Sequence, residues 1–154
     1  MGFATHLGPW LLGTVKDTTG TTAGTIRNTG ATVVSQSVAI GTGSTTANAF
    51  VLPAGALITG AQLITTTLYG AGTVKLSIGA VDISNTLTLP TTTPGAAALT
   101  LGAGGVSAAA LIANVGSTDA IVTYTLASAT TGAGTLVITY VVRNSDGTSV
   151  PASA

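Results

Sequence analysis

The feature that most constrains the fold is a succession of short stretches in which apolar and polar side chains alternate. The stretch 73–78 shows it best, because Val74, Leu76 and Ile78 alternate there with Thr73, Lys75 and Ser77. Successive side chains of a β-strand point to opposite faces, so this period predicts a half-buried strand. Further strands are predicted around Val34, Val38 and Ile40, and at 49–52, 56–69 with a kink at Gly60, 81–89, 96–101, 121–126 and 136–142. The last of these is apolar on both faces, which predicts a central strand.

The composition favours the same fold. The 154 residues include 31 Thr and 21 Gly, while charged residues make up only 5%. Uncharged β-branched residues suit a pleated sheet, and Gly suits the turns between strands. About two thirds of the surface of a chain this long is buried on folding, enough for a core without disulfides. About eight strands at short, regular spacing predict an all-β fold, an antiparallel β-sandwich.

The chain divides into an N-terminal arm and a sandwich domain. Residues 1–31 have no hydrophobic period and are interrupted by glycines, which predicts an extended arm with a turn at 28–30. An alternative is a first strand at 13–16 followed by a surface loop. Residues 32–154 are predicted to form the sandwich.

Two local interpretations accompany this division. The Ala-rich segment 107–114 fits a helix with a cap at each end as well as it fits a strand. Gly-Ala-Gly-Thr occurs at 70–73 and at 132–135, each time before a predicted strand. We expect both copies to form hairpins whose glycines adopt positive φ.

Charge and residue types argue against several functional classes. Four scattered bases cannot neutralise a run of phosphates, so no nucleic acid partner is expected. No apolar stretch is long enough to cross a bilayer, so no membrane partner is expected either. The absence of Cys and the single His6 argue against a metal site and a bound cofactor. The Gly-rich stretches lack the Lys and Ser/Thr of a phosphate loop. We therefore expect no catalytic residues and a protein that is not an enzyme.

Several segments resemble small virion structural proteins of tailed bacteriophages, including marine phages. AFVLPAGALITGA at 49–61 resembles their Leu-Pro-x-Gly turn and following strand, and GTVKLSIGAVDIS at 72–84 resembles a downstream strand. GAGTLVITYVV at 132–142 is similar to their closing strand, and LGPWLLGTV at 7–15 is similar to their arms. The resemblance implies a capsid decoration (cement) protein, a sandwich or jelly roll that forms a homotrimer. It would lie on the outer surface of the virion capsid and bind the major capsid protein.

Other functions fit the same sequence. A neck, tail or head-fibre component belongs to the same class of structural protein. A carbohydrate-binding or adhesin sandwich is a different class, but it typically needs exposed aromatic side chains, and most aromatics here fall within predicted strands.

The arm holds the candidate partner-binding residues. Trp10, Leu11 and Leu12 form an apolar group that would be costly to leave in water. Lys16 and Arg27 supply two of the four bases, and a guanidinium suits a carboxylate of the capsid. A competing interpretation places Trp10 at one end of its own sandwich.

Overall fold

The computed structural model describes residues 32–142, which form nine strands and one short helix. The strands are β1 (Thr32–Ile40), β2 (Gly43–Leu52), β3 (Leu57–Thr67), β4 (Thr73–Ile78), β5 (Val81–Asp82), β6 (Leu87–Thr88), β7 (Gly95–Ala98), β8 (Ala120–Ala129) and β9 (Ala133–Val142). The helix α1 (Val106–Ala113) lies between β7 and β8. The predicted all-β class is confirmed.

The strands form two antiparallel sheets packed face to face. Sheet 1 has the order β1-β9-β3-β7, and sheet 2 has the order β2-β8-β4-β5, with β6 also paired to β4. The chain changes sheet at most connections, and its last two strands lie inside the sheets that its first two strands border. This strand order is that of a jelly roll, in which two Greek keys wrap around one core.

The core lies between the sheets and takes every second residue of the long strands. In β9 the buried positions are Leu136, Ile138 and Tyr140, and in β8 Val122 and Leu126 are buried. Strand β9 pairs with β1 on one side and with β3 on the other, so its prediction as a central strand is confirmed. The kink predicted at Gly60 is a register shift between Ile58 and Gly60 in the pairing of β3 with β9.

The predicted strand at 81–89 is interrupted. Its two ends are β5 and β6, which pair with opposite ends of β4. Between them, Ile83 is fully buried and Ser84 forms an isolated bridge with Leu101. The Ser84 hydroxyl accepts a hydrogen bond from the Leu76 backbone N–H at 2.9 Å, which replaces a strand-to-strand bond there.

The prediction of two hairpins at the Gly-Ala-Gly-Thr copies is wrong. Strands β3 and β4 lie in different sheets, and so do β8 and β9, so each copy carries the chain across the sandwich. Positive φ does occur, at Gly72 in the first copy and at Gly132 in the second. The two copies therefore differ, because the positive φ falls on the third residue of one and on the first residue of the other.

Segment 107–114, for which the sequence left helix and strand open, is helical over Val106–Ala113. Ala108 is buried, while Leu111 and Ile112 pack against the core. The expected cap at the N-terminal end is absent, because Gly105 stands there without a side-chain hydrogen bond. At the other end, the Asn114 side chain accepts a hydrogen bond from the Gly116 backbone N–H at 2.9 Å.

Candidate interaction surface

The partner-binding residues predicted from the sequence are not part of the described structure. Trp10, Leu11, Leu12, Lys16 and Arg27 all lie outside residues 32–142. Their role, and that of residues 1–31 as an arm, stays a prediction. The candidate surface described below lies on the sandwich.

The three charged residues within 32–142 all have structural partners. The Lys75 ammonium contacts the Asp82 carboxylate at 2.7 Å across β4 and β5, and both side chains are more than one third exposed. The Asp119 carboxylate accepts a hydrogen bond from the Ala54 backbone N–H at 3.0 Å and so holds the turn between β2 and β3. Each of the two carboxylates thus has its own structural partner.

The described segment contains neither a cluster of metal ligands nor a membrane-spanning helix. Between residues 32 and 142, no three His, Cys, Asp or Glu side chains gather in one place. Within residues 32–142, no helix is long and apolar enough to cross a bilayer.

The outer face of sheet 1 is a broad surface without charge, here called the sheet 1 face. Strand register places its side chains in four rows across the sheet. These rows are Val33–Val141–Leu57, Ser35–Thr139–Gly60, Ser37–Val137–Gln62–Ala98 and Ala39–Thr135–Ile64–Ala96. Every member is Ala, Gly, Val, Leu, Ile, Ser, Thr or Gln, so no Coulomb repulsion opposes a partner there.

The sheet 1 face carries a shallow hollow of about 280 Å³ where β3 shifts register. Gly60, Gln62, Ala98, Val137 and Thr139 line it. Gly60 keeps it open, because a Cβ there would come within 2.9 Å of the Thr139 hydroxyl. Its lining is small and uncharged.

The outer face of sheet 2 differs from the sheet 1 face in its ion pair, whereas hydroxyl groups bond across strands on both, as Thr59 does to Thr139 at 3.3 Å on sheet 1. Hydroxyl groups on neighbouring strands bond to each other, Thr46 to Thr125 at 3.2 Å and Ser77 to Thr123 at 2.9 Å. The Lys75–Asp82 ion pair lies on the same face. Many of its polar groups are thus satisfied within the sheet.

Five large apolar side chains are exposed within residues 32–142, and two of them, Val106 at the start of α1 and Ile64 on β3, stand apart from the rest. Val33 is 68% exposed, Val51 is 54% exposed and Ile121 is 47% exposed. Val51 and Ile121 are directly paired between β2 and β8. Single exposed apolar residues are ordinary, and Val33 lies on the outer face of sheet 1 whereas Val51 and Ile121 lie on the outer face of sheet 2.

Sequence reasoning missed two polar groups that organise this side of the molecule. The Gln36 amide donates to the Val51 carbonyl and to the Tyr140 hydroxyl, both at 2.7 Å, and so joins the two sheets. The buried Tyr69 hydroxyl donates to the Ile40 carbonyl at 3.2 Å. Burial raises the pKa of the Tyr69 phenol above its ordinary value of 10.0, so it stays protonated near neutral pH. Their partners are 15 to 104 residues away, and local sequence gives no signal for such contacts.

Comparison with protein-family models, curated proteins and solved structures finds no match to this chain.

Proposed function

We propose that the protein is a non-enzymatic structural protein of a virion. It decorates and stabilises a phage capsid from the outside by binding the major capsid protein. The observation that carries the proposal is the sheet 1 face, a four-stranded surface whose rows contain no charged residue.

The fold supports this proposal by analogy. Jelly rolls serve as capsid domains and also as lectin domains, so the fold alone does not select a function. Three of the four segments that resemble phage virion proteins, 49–61, 72–84 and 132–142, lie within this jelly roll, and segment 7–15 lies outside the described residues. Segment 49–61 covers the end of β2, the following turn and the start of β3, and segment 132–142 contains the central strand β9.

The energetics support a protein surface as the partner. An uncharged face of Ala, Val, Ser and Thr loses little desolvation energy when it is covered, because no ion leaves water. Sugar binding is less favoured by the described aromatics, since Phe50, Tyr69 and Tyr140 are buried in the core.

The test uses empty capsids of the encoding phage that were assembled without this protein. We expect the purified protein to sediment with them to a fixed stoichiometry. Gln62→Lys places a charge on the sheet 1 face beside the hollow and is expected to weaken binding tenfold or more. Asn48→Lys adds the same charge at an exposed position on β2, outside this face, and is the matched control.

The outcomes separate the alternatives. Capsid binding that is lost in Gln62→Lys and kept in Asn48→Lys supports the proposal. Equal binding by both variants contradicts the role of the sheet 1 face. Labelling confined to the neck, tail or fibres of mature virions contradicts capsid decoration and supports the related structural role.

The arm has its own experiment. We propose that residues 1–31 anchor the sandwich to the capsid through Trp10, Leu11 and Leu12. A chain without residues 1–31 is then expected to melt cooperatively but to bind capsids weakly. Loss of cooperative melting would instead place Trp10 in the core of its own domain.

A further inference from the structure

The four sheet edges are protected to very different degrees. At the far edges, β7 has four residues, while β5 and β6 have two each. Strand β2 is long, but two register shifts interrupt its pairing with β8. The Gln36 side chain also accepts a hydrogen bond from the Val51 N–H and donates one to the Val51 C=O. These two bonds cover part of the free edge of β2. Short strands, bulges and covering groups are the usual protections against edge pairing.

Strand β1 has none of these protections within the described structure. It pairs with β9 over all nine residues without a register shift, and its sequence TVVSQSVAI contains neither Pro nor charge. Its other edge lies at the border of sheet 1. A long, regular and uncharged edge of this kind is a template for another strand.

The sequence of β1 indicates which strand fits. Around Gln36 it reads nearly the same in both directions: Ser35 matches Ser37, Val34 matches Val38, and Val33 matches the similarly apolar Ala39. The outward positions 33, 35, 37 and 39 are exposed, and the inward positions Val34 and Val38 pack against the core.

We infer that β1 pairs with β1 of a second copy of this chain, antiparallel and around a two-fold axis at Gln36. Sheet 1 then continues across two molecules as one eight-stranded sheet. Ser35 of each copy lies opposite Ser37 of the other, and Val33 lies opposite Ala39. A two-fold contact requires a patch that complements itself, and positions 33–39 of this strand meet that condition.

This contact is independent of capsid binding and differs from the trimer that the phage resemblance implies. It leaves the sheet 1 face open, because edge pairing extends a sheet without covering its faces. Dimerisation through β1 and capsid binding can therefore be tested separately, and either one can fail without the other.

The test is a charge exchange at the paired positions, measured by sedimentation. The full-length protein is expected to sediment with twice the mass of its 14.8 kDa chain. Ser35→Lys with Ser37→Lys places like charges opposite each other and should weaken dimerisation about tenfold or more. Ser35→Glu with Ser37→Glu should do the same, and an equal mixture of the two variants should restore the dimer. The control Thr91→Lys with Thr92→Lys adds the same charge in the exposed loop before β7 and should stay dimeric.

A second measurement fixes the register and does not depend on charge. Because the chain has no Cys, Ser35→Cys and Ser37→Cys each introduce a single thiol. Under oxidation, a mixture of the two variants should form more cross-linked dimer than either variant alone, since positions 35 and 37 lie opposite each other. A monomer, a trimer, a dimer insensitive to charge at β1, or equal cross-linking in all samples would each overturn the inference.

Discussion

At the scale of single residues, a few polar groups hold together a molecule with very few ions. Gln36 lies on the inner side of β1 and bonds both to β2 and to Tyr140, so one side chain joins the edges of both sheets. Ser84 and Asp119 replace backbone bonds where strands stop. The neutral hydrogen bonds of Gln36 and Ser84 contribute about 1 kcal/mol each when made and cost more when one partner is left buried.

Gln36→Ala should lower the free energy of unfolding by about 1–3 kcal/mol, because it leaves the nearly buried Tyr140 hydroxyl without its Gln36 partner. Tyr140→Phe should cost about 1 kcal/mol. In urea denaturation, the double variant should lose less than the sum of both, as expected of two groups that share a hydrogen bond. Strict additivity would show that the Gln36–Tyr140 bond contributes nothing.

Tyr69→Phe tests the buried phenol. At pH 7 the variant should be less stable by about 1 kcal/mol, because the bond to the Ile40 carbonyl is lost. The raised pKa of Tyr69 means that the folded state holds the phenol proton more tightly than the unfolded state. The stability that this tighter proton binding contributes is complete below pH 10, and it is lost as the pH rises through the pKa of Tyr69 in the folded state. Thermal melts should therefore show a difference in melting temperature between the wild-type protein and Tyr69→Phe that narrows above pH 10. A difference that widens above pH 10 would contradict this.

Gly72→Ala tests the crossing between the sheets. Its φ is +119°, and an added Cβ would lie 2.7 Å from the Ala129 Cα, where backbone on both sides prevents adjustment. The expected loss of stability is about 2–4 kcal/mol. Gly41→Ala is the control, since that position has open space and no positive φ, and it should gain about 0.4–1 kcal/mol. Equal stability of Gly72→Ala and Gly41→Ala would contradict the close approach of the Gly72 and Ala129 backbones.

At the scale of elements, local pattern predicted the strands well and their connections poorly. The alternation in 73–78 places Val74 and Leu76 in the core, because period two follows from backbone geometry alone, although Ser77, predicted to point outward, is also buried. Which sheet a strand joins depends on long-range packing. The two Gly-Ala-Gly-Thr copies were therefore predicted as hairpins, although they cross the sandwich. In the same way, residues 107–114 fit a helix and a strand equally well by local propensity. Their packing, with Ala108 buried and Leu111 and Ile112 against the core, selects the helix.

Gly105→Ser tests the start of α1. Serine is a better N-cap than glycine in most helices. Here Gly105 has φ +77° and ψ −152°, a region that is essentially restricted to glycine. We therefore expect Gly105→Ser and Gly105→Ala to lose similar stability, about 1–3 kcal/mol, in chemical denaturation. A more stable Gly105→Ser variant would show that the hydroxyl outweighs the backbone strain.

At the scale of the whole molecule, the sandwich could be predicted from the sequence but its candidate surface could not. The all-β sandwich follows from strand number and spacing, whereas its jelly-roll connectivity is seen only in the strand order of the two sheets. The sheet 1 face becomes visible only when register brings residues 33, 57 and 141 into one row, since they are far apart in the chain. The sequence instead directed attention to Trp10 and its neighbours, which stand out because they are large, apolar and grouped together.

The central claim is that an uncharged sheet face binds the outside of a capsid. Electron cryo-microscopy of empty capsids incubated with the purified protein tests it most directly. The account predicts added density at equivalent sites over the outer shell, into which the jelly roll fits with the sheet 1 face towards the major capsid protein. Capsids without added density, or density fitted with the sheet 2 face towards the shell, would contradict it.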